Sequence, residues 1–217
     1  FLFFAANDIH PGEMGGIGVA VADKPEGPFV DHIGKPLIDQ HYNGAQPIDQ
    51  FVFEKDGQWF IVYGGWRHCN IAQLADDFKS LVPFDDGTTA REITPDGYVE
   101  GPFLFERAGT WYFMWSEGSW GDHTYQVTYA MSDSMWGPWV RVGNVIEPNP
   151  AVASGAGHHS VLHKPGSDDY YIVYHRRPAG ETRRDARETC IDRLAFSADG
   201  TIRPVVMTTT GVDANPI

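Results

Sequence analysis

The chain has 217 residues, room for one large domain or two small ones. Its 16 Lys+Arg against 29 Asp+Glu give a net charge of −13, which argues against binding to a phosphate backbone, where a basic patch is needed. A hydrophobic content of 42% with 13% aromatics suits a packed core, and no apolar run approaches the roughly 20 residues that span a membrane.

The two cysteines, Cys69 and Cys190, form no CxxC pair, so neither a cysteine framework nor a zinc spacing is present, and no disulfide between them is expected. The chain opens on Phe1-Leu2-Phe3-Phe4, without Met or a secretory signal, which reads as the inside of a domain of a soluble protein. The compartment is not encoded in these residues.

Signals for helix are nearly absent. Short runs of Val, Ile, Phe, Tyr and Trp alternate with clusters of Gly, Pro, Asn and Asp, which is the pattern of strands and turns. In chain order, a first unit over about 1–42 starts at its second strand, its inner strand missing. A second unit, about 46–94, places strands near 48–54, 59–65 and 70–75. The third, about 97–147, places them near 99–107, 110–116, 124–131 and 139–142. The fourth, about 157–207, places them near 158–163, 169–175, 188–196 and 202–207. Turns such as Lys55-Asp56-Gly57 and Ala198-Asp199-Gly200 fit tight hairpins.

The units repeat. Phe53, Gly57, Phe60 and Tyr63 superpose on Phe105, Gly109, Tyr112 and Trp115 at an offset of 52 residues. Tyr112 and Trp115 superpose on Tyr171 and Tyr174 at 59, and Val19–Phe29 superposes on Tyr129–Trp139 at 110, two periods. Strand-built periods of 50 to 60 residues point to an all-β fold, a β-propeller read here as N-terminally incomplete, with about three full blades and one partial blade in a single domain, 1–217. The competing architecture is a long antiparallel sandwich. Open blade edges would expose unpaired strands, so the sequence reads either as a fragment or as a chain whose homo-oligomer closes those edges.

Each full unit carries an ionisable residue at its head. Asp49, Glu100 and His158 lie 10, 11 and 12 residues before the first aromatic of the following strand, Trp59, Trp111 and Tyr170. Equivalent positions in a radial repeat converge on the axis. Two carboxylates facing one pocket suit glycosidic bond cleavage: one must stay protonated to donate to the leaving oxygen, and a nearby negative charge raises its pKa. Glu100 is therefore expected to be the general acid and Asp49 the charge that tunes and orients it. His158 is expected to hydrogen-bond substrate or to hold a water on a central cation such as calcium, which prefers oxygen ligands. His159 would face the other way. Trp66, Trp115 and Trp120 are expected to form a sugar platform near the pocket mouth, with Trp59 and Trp111 in the core and Arg176 and Arg177 at the rim.

The segments Pro47–Phe53, Val99–Phe103 and Gly155–Val161, with Ile17–Ala20, Glu26–Phe29 and Arg187–Asp192, resemble glycoside hydrolase family 43 in the right order over nearly the whole chain. The resemblance implies a five-bladed propeller and an inverting enzyme of the β-xylosidase, α-L-arabinofuranosidase, arabinanase or exo-galactanase kind. It assigns Glu100 as general acid, Asp49 as the aspartate modulating its pKa, and His158 as the central histidine, often near calcium. Arg187 matches the arginine that reaches sugar hydroxyls. The family's general-base aspartate, on the inner strand of the first blade, has no counterpart here; Asp8 and Asp23 sit at no inner-strand head. The expected substrate is a xylo- or arabino-oligosaccharide from plant polysaccharide, cleaved at terminal xylose or arabinofuranose. The alternatives are a non-catalytic carbohydrate-binding propeller and a propeller glycosidase acting on fructans.

Overall fold

The computed structural model describes residues 1–6 and 15–213. Among the described residues there is no α-helix, only a single 3-10 turn at Tyr42–Gly44, so no helix is long and apolar enough to cross a membrane. The chain forms two compact units, Phe1–Leu104 and Phe105–Ile217.

The first unit holds two antiparallel sheets. Strands β1 (Leu2–Ala6), β2 (Gly16–Val21) and β3 (Val30–Asp31) pair in that order. Gly18 of β2 lies under the ring of Phe4, where a Cβ would approach to 2.5 Å, so a larger residue there would displace that ring. The second sheet runs β4 (Phe51–Lys55), β5 (Gln58–Tyr63), β6 (Asn70–Leu74) and β7 (Leu81–Val82), and β8 (Arg91–Glu92) also pairs with β6. Asp56 and Gly57, with φ of 52° and 78°, close the β4–β5 hairpin through the doubly left-handed turn that matches strand twist. Side chains from both sheets bury together: Ile17, Val19 and Ile38 meet Ile61, Tyr63, Ala72 and Leu74 in one cluster, with Trp59 packed against it.

A four-stranded sheet follows, in the order β12 (Val140–Ile146), β11 (Gln126–Ser132), β10 (Thr110–Glu117), β9 (Glu100–Arg107). Strand β9 starts in the first unit and ends in the second. Ala108 and Gly109 repeat the turn of Asp56 and Gly57, with φ of 51° and 82°. Every residue of β10 from Trp111 to Glu117 is buried. Covered on both faces, such a strand reads as a continuous apolar run rather than an alternating one. The last sheet is β13 (Ala153–His163), β14 (Tyr170–Pro178) and β15 (Glu188–Leu194).

Aromatics tie these last elements together. Phe105 stacks on Tyr112 at 4.9 Å, and Phe196 meets Tyr112 and Tyr170 edge-on. The Tyr112 hydroxyl donates to the Gly200 carbonyl at 2.6 Å, and the Tyr129 hydroxyl accepts the Ile202 amide at 2.9 Å. The strand expected over 202–207 is not formed. Ile202 makes one bridge to Phe196, Pro204 has no amide to continue a ladder, and the Val205 amide turns to the Val145 carbonyl of β12 at 2.8 Å. Cys69 and Cys190 are both free thiols.

Candidate active site

The Asp49 carboxylate meets the strand head that carries Glu100 in the first unit. Asp49 does not begin a strand, contrary to the sequence expectation: it stands two residues before β4 with φ of 57°, a left-handed conformation that aspartate tolerates better than most residues. Its carboxylate reaches the neighbouring sheet, where Oδ2 accepts the amide of Gly101 in β9 at 3.1 Å. Gly101 directly follows Glu100, the first residue of β9. Asp49 is thus docked on the strand head that carries Glu100. The buried Tyr98 hydroxyl feels both charges: its pKa is raised well above the ordinary phenol value, chiefly by burial, with the Cys69 thiol, Asp49 and Glu100 adding to it.

Around that head the chain folds a strained loop. Gly64 takes φ of 149°, where a Cβ would strike the His68 carbonyl at 2.1 Å, and Trp66 and Arg67 follow with φ of 56° and 70°. Consecutive bulky residues in the left-handed region are costly and persist only where surrounding contacts hold them. Here the Gly64 amide donates to Ile48, the Gly65 amide to Gln46, and the Arg67 amide to the Val99 carbonyl at 3.1 Å. The Tyr98 hydroxyl closes the loop on the Gly64 carbonyl at 2.6 Å. The result displays Trp66, 52% exposed, edge-on to His41, on a loop bonded to the residue before Glu100. A rigid, half-exposed indole beside an acid is a ready surface for the apolar face of a sugar.

The second unit holds the other residues singled out by sequence. Trp115 is not a platform residue, contrary to expectation: it is wholly buried in the middle of β10, its indole N–H donating to Glu117 at 3.1 Å. Arg141 pairs with that same carboxylate. Trp120 is 37% exposed, and its ring faces two guanidinium groups, Arg184 at 4.7 Å and Arg187 at 5.5 Å from the ring centre. His158 is exposed in a bulged stretch of β13 with φ of 30°, and its amide donates to the Ser116 hydroxyl at 2.9 Å. His159 beside it is buried; burial, with His158 and His175 nearby, pushes its pKa down to about 3.

Sequence reading missed His175 and Tyr98, and saw Arg177 only as a rim residue. His175 stacks on Tyr125, and its pKa is pushed down to about 4 by burial and by Arg187, His158 and Arg177. Arg177 is buried, and its guanidinium donates to the backbone carbonyls of Trp120 and Asp122. The signal for this was Gly155, since a Cβ there would lie 2.2 Å from the Arg177 side chain. Of the two acids weighed as a base, Asp8 lies outside the described residues and Asp23 is exposed just after β2.

No three His, Cys, Asp or Glu groups gather to hold a metal directly among the described residues; the role expected of His158, through a water on a central cation, is a different arrangement.

Antiparallel meanders recurring at a fixed period, with a carboxylate pair at one strand head, are the build of a β-propeller glycosidase. Residues 1–202 match the family described as Glycosyl hydrolases family 43, and the chain belongs to that family. The β-D-galactofuranosidase xynD of Aspergillus niger is 42% identical over 100% of this chain and 62% of its own length. The arabinoxylan arabinofuranohydrolase of Bacillus subtilis is 28% identical over 98% of this chain and 45% of its own. A crystal structure of a family 43 arabinoxylan arabinofuranohydrolase from Bacillus subtilis, in complex with cellotetraose, superposes with a TM-score of 0.74 at 28% identity, covering 91% of this chain and 46% of that one. An α-L-arabinofuranosidase from Clostridium thermocellum superposes at 0.71 and 29%, covering 89% and 66%. The chain spans less than two thirds of the length of these two curated relatives. Its fold is the all-β propeller type of the five-bladed glycosidases.

Proposed function

We propose that this chain removes a terminal furanose, arabinofuranose or the related galactofuranose, from plant-type oligosaccharides, with Glu100 as general acid. The observation that carries this reading is the docking of the Asp49 carboxylate on the amide that follows Glu100. A carboxylate so placed orients the strand head and, as a neighbouring negative charge, favours the protonated form of the acid it faces. Glu100 then donates its proton to the leaving oxygen while water attacks the anomeric carbon from the opposite face, inverting its configuration and giving up its own proton to a general base that is not among the residues assigned here. In the first unit Trp66 offers a stacking surface to a sugar, and in the second unit Arg187 and the exposed His158 offer polar contacts to an oligosaccharide. The furanose preference follows the names of the galactofuranosidase and arabinofuranohydrolase relatives. β-D-Galactofuranose differs from α-L-arabinofuranose by one added hydroxymethyl carbon, so one pocket serves both. A terminal xylose is the second reading, favoured by a β-xylosidase of Xylanibacter ruminicola at 26% identity.

The test is hydrolysis of nitrophenyl α-L-arabinofuranoside, β-D-galactofuranoside and β-xyloside, beside Glu100→Gln. Loss of the general acid is expected to slow turnover by about 10²–10⁴-fold. With a dinitrophenyl leaving group, which needs no proton, much of the rate should return. An equal loss with both leaving groups sinks the acid assignment. Binding without hydrolysis of any substrate would make the chain a carbohydrate-binding propeller.

A further inference from the structure

Five of the chain's 16 basic residues fall between positions 176 and 187, in a protein of net charge −13. Three of these arginines are committed. Arg176 pairs with Glu188 at 2.9 Å, Arg183 pairs with Glu181 at 3.1 Å, and the buried Arg177 holds the backbone of the Trp120 loop. The other two, Arg184 and Arg187, converge on the face of Trp120. Among the described residues Arg184 has only a loose contact with Asp185, 3.7 Å apart and with both side chains largely exposed. Arg187 has no carboxylate partner among the described residues. The nearest acid on the Trp120 loop, Asp122, is turned away, its carboxylate bonded to the amide and hydroxyl of Thr124.

Two guanidinium groups against one indole repel each other, and the attraction of each to the ring is worth only about 0.5–1 kcal/mol at an exposed site. An anion between them turns that repulsion into two charge-assisted hydrogen bonds. Arg177 holds the Trp120 and Asp122 carbonyls, which fixes the backbone that carries the indole. A free carboxylate on a sugar ring fits this geometry: the acid meets the guanidinium groups, and the ring extends along the indole edge.

We propose that Trp120, Arg184 and Arg187 form a subsite for a uronic acid carried by the oligosaccharide, so that the enzyme prefers acid-substituted chains over neutral ones. This rests on the glycosidase reading above and names its substrate class more closely. Arg187 serves sugar hydroxyls in either case; Arg184 is the residue specific to the acid.

Calorimetric titration of the 217-residue chain with a glucuronic-acid-bearing xylo-oligosaccharide, and with the neutral oligosaccharide of the same length, tests the subsite. The acidic ligand is expected to bind about five- to twentyfold tighter, as paired charge-assisted bonds allow. In about 0.5 M NaCl the ratio should fall toward one, because exposed charges are screened. Arg184→Gln should lower the ratio at least about threefold while the neutral ligand binds as before, its melting temperature confirming the fold. Equal affinities, or a ratio unmoved by Arg184→Gln, overturn the subsite and leave the glycosidase reading standing. Binding of neither ligand overturns both. A preference for the acidic ligand without hydrolysis of any glycoside leaves the subsite standing and removes the catalytic reading.

Discussion

Tyr98→Phe removes one oxygen and tests how the loop bearing Trp66 is held. Tyr98 is 2% exposed, and its hydroxyl donates to the Gly64 carbonyl at 2.6 Å. Phenylalanine keeps the packing and strips that carbonyl of its donor. Leaving a buried acceptor unpaired costs about 1–3 kcal/mol. For a chain of this size, each kcal/mol lowers the melting temperature by about 2–4 °C, so a fall of about 4–8 °C is expected for a middle value of about 2 kcal/mol. The same loop holds Trp66 and Arg67 at positive φ and bonds the Val99 carbonyl next to Glu100. Release of its anchor lets Trp66 leave its place more than it disturbs the acid. KM for nitrophenyl α-L-arabinofuranoside should therefore rise about three- to tenfold while kcat changes less than about twofold, the pattern of lost uniform binding. Thermal unfolding by circular dichroism and steady-state kinetics read both effects. An unchanged melting temperature together with an unchanged KM would refute the idea that this bond supports the loop.

Asp49→Asn keeps an oxygen for the Gly101 amide but removes the charge beside Glu100. The alkaline limb of the kcat/KM profile should move to lower pH, since the acid then loses its proton more readily. Trp66→Ala and Trp115→Ala separate platform from core. The exposed residue should cost binding, about tenfold in KM, with little change in stability, whereas emptying the buried Trp115 site should cost about 3–5 kcal/mol of stability in urea titration. Burial holds the pKa of His159 at about 3 and that of His175 at about 4, below their ordinary value of 6.5. Both are neutral in the folded chain, so their stabilisation is complete above pH 6.5 and is lost as pH falls toward 4 and 3. Asp86 and Glu181, held down at about 2, titrate at lower pH. A drop of about 2 kcal/mol between about pH 7 and pH 5 is expected for His159, and His159→Leu should show a correspondingly flatter slope.

The hairpins were legible because their signals are local. Asp56-Gly57 and Ala108-Gly109 demand left-handed turns, and the aromatic runs on either side of them can only be strands. The proximity of Asp49 to the strand head of Glu100 follows from the repeat, although only Glu100 begins a strand: the Asp49 carboxylate accepts the amide of Gly101. The conformation of Asp49 was not readable, because a left-handed aspartate and the first residue of a strand look alike in sequence.

The tryptophans show where local reading fails. Trp115 ends an apolar run, and Trp120 follows five positions later, after Ser116-Glu117-Gly118-Ser119. In a half-exposed strand, alternation would sort such residues into inside and outside. Strand β10 is covered on both faces, so alternation carries no information there and Trp115 goes into the core. Its neighbour escapes because the strand ends at Glu117 and Gly118 then takes φ of 79°, where a Cβ would meet the Thr124 carbonyl at 2.2 Å. That turn swings the chain outward and exposes Trp120. Its position depends in turn on Arg177, 57 residues away, reaching the Trp120 carbonyl across the space that Gly155 leaves open. Such a contact is fixed by the packing of three separate segments, and no pattern within any one of them announces it. A glycine amid bulky neighbours is the trace it leaves: Gly155 and Gly157 lie in β13 where a Cβ would strike Arg177 or Tyr125. These two glycines therefore mark the side chains they make room for, Arg177 and Tyr125, which no pattern within their own segments announces.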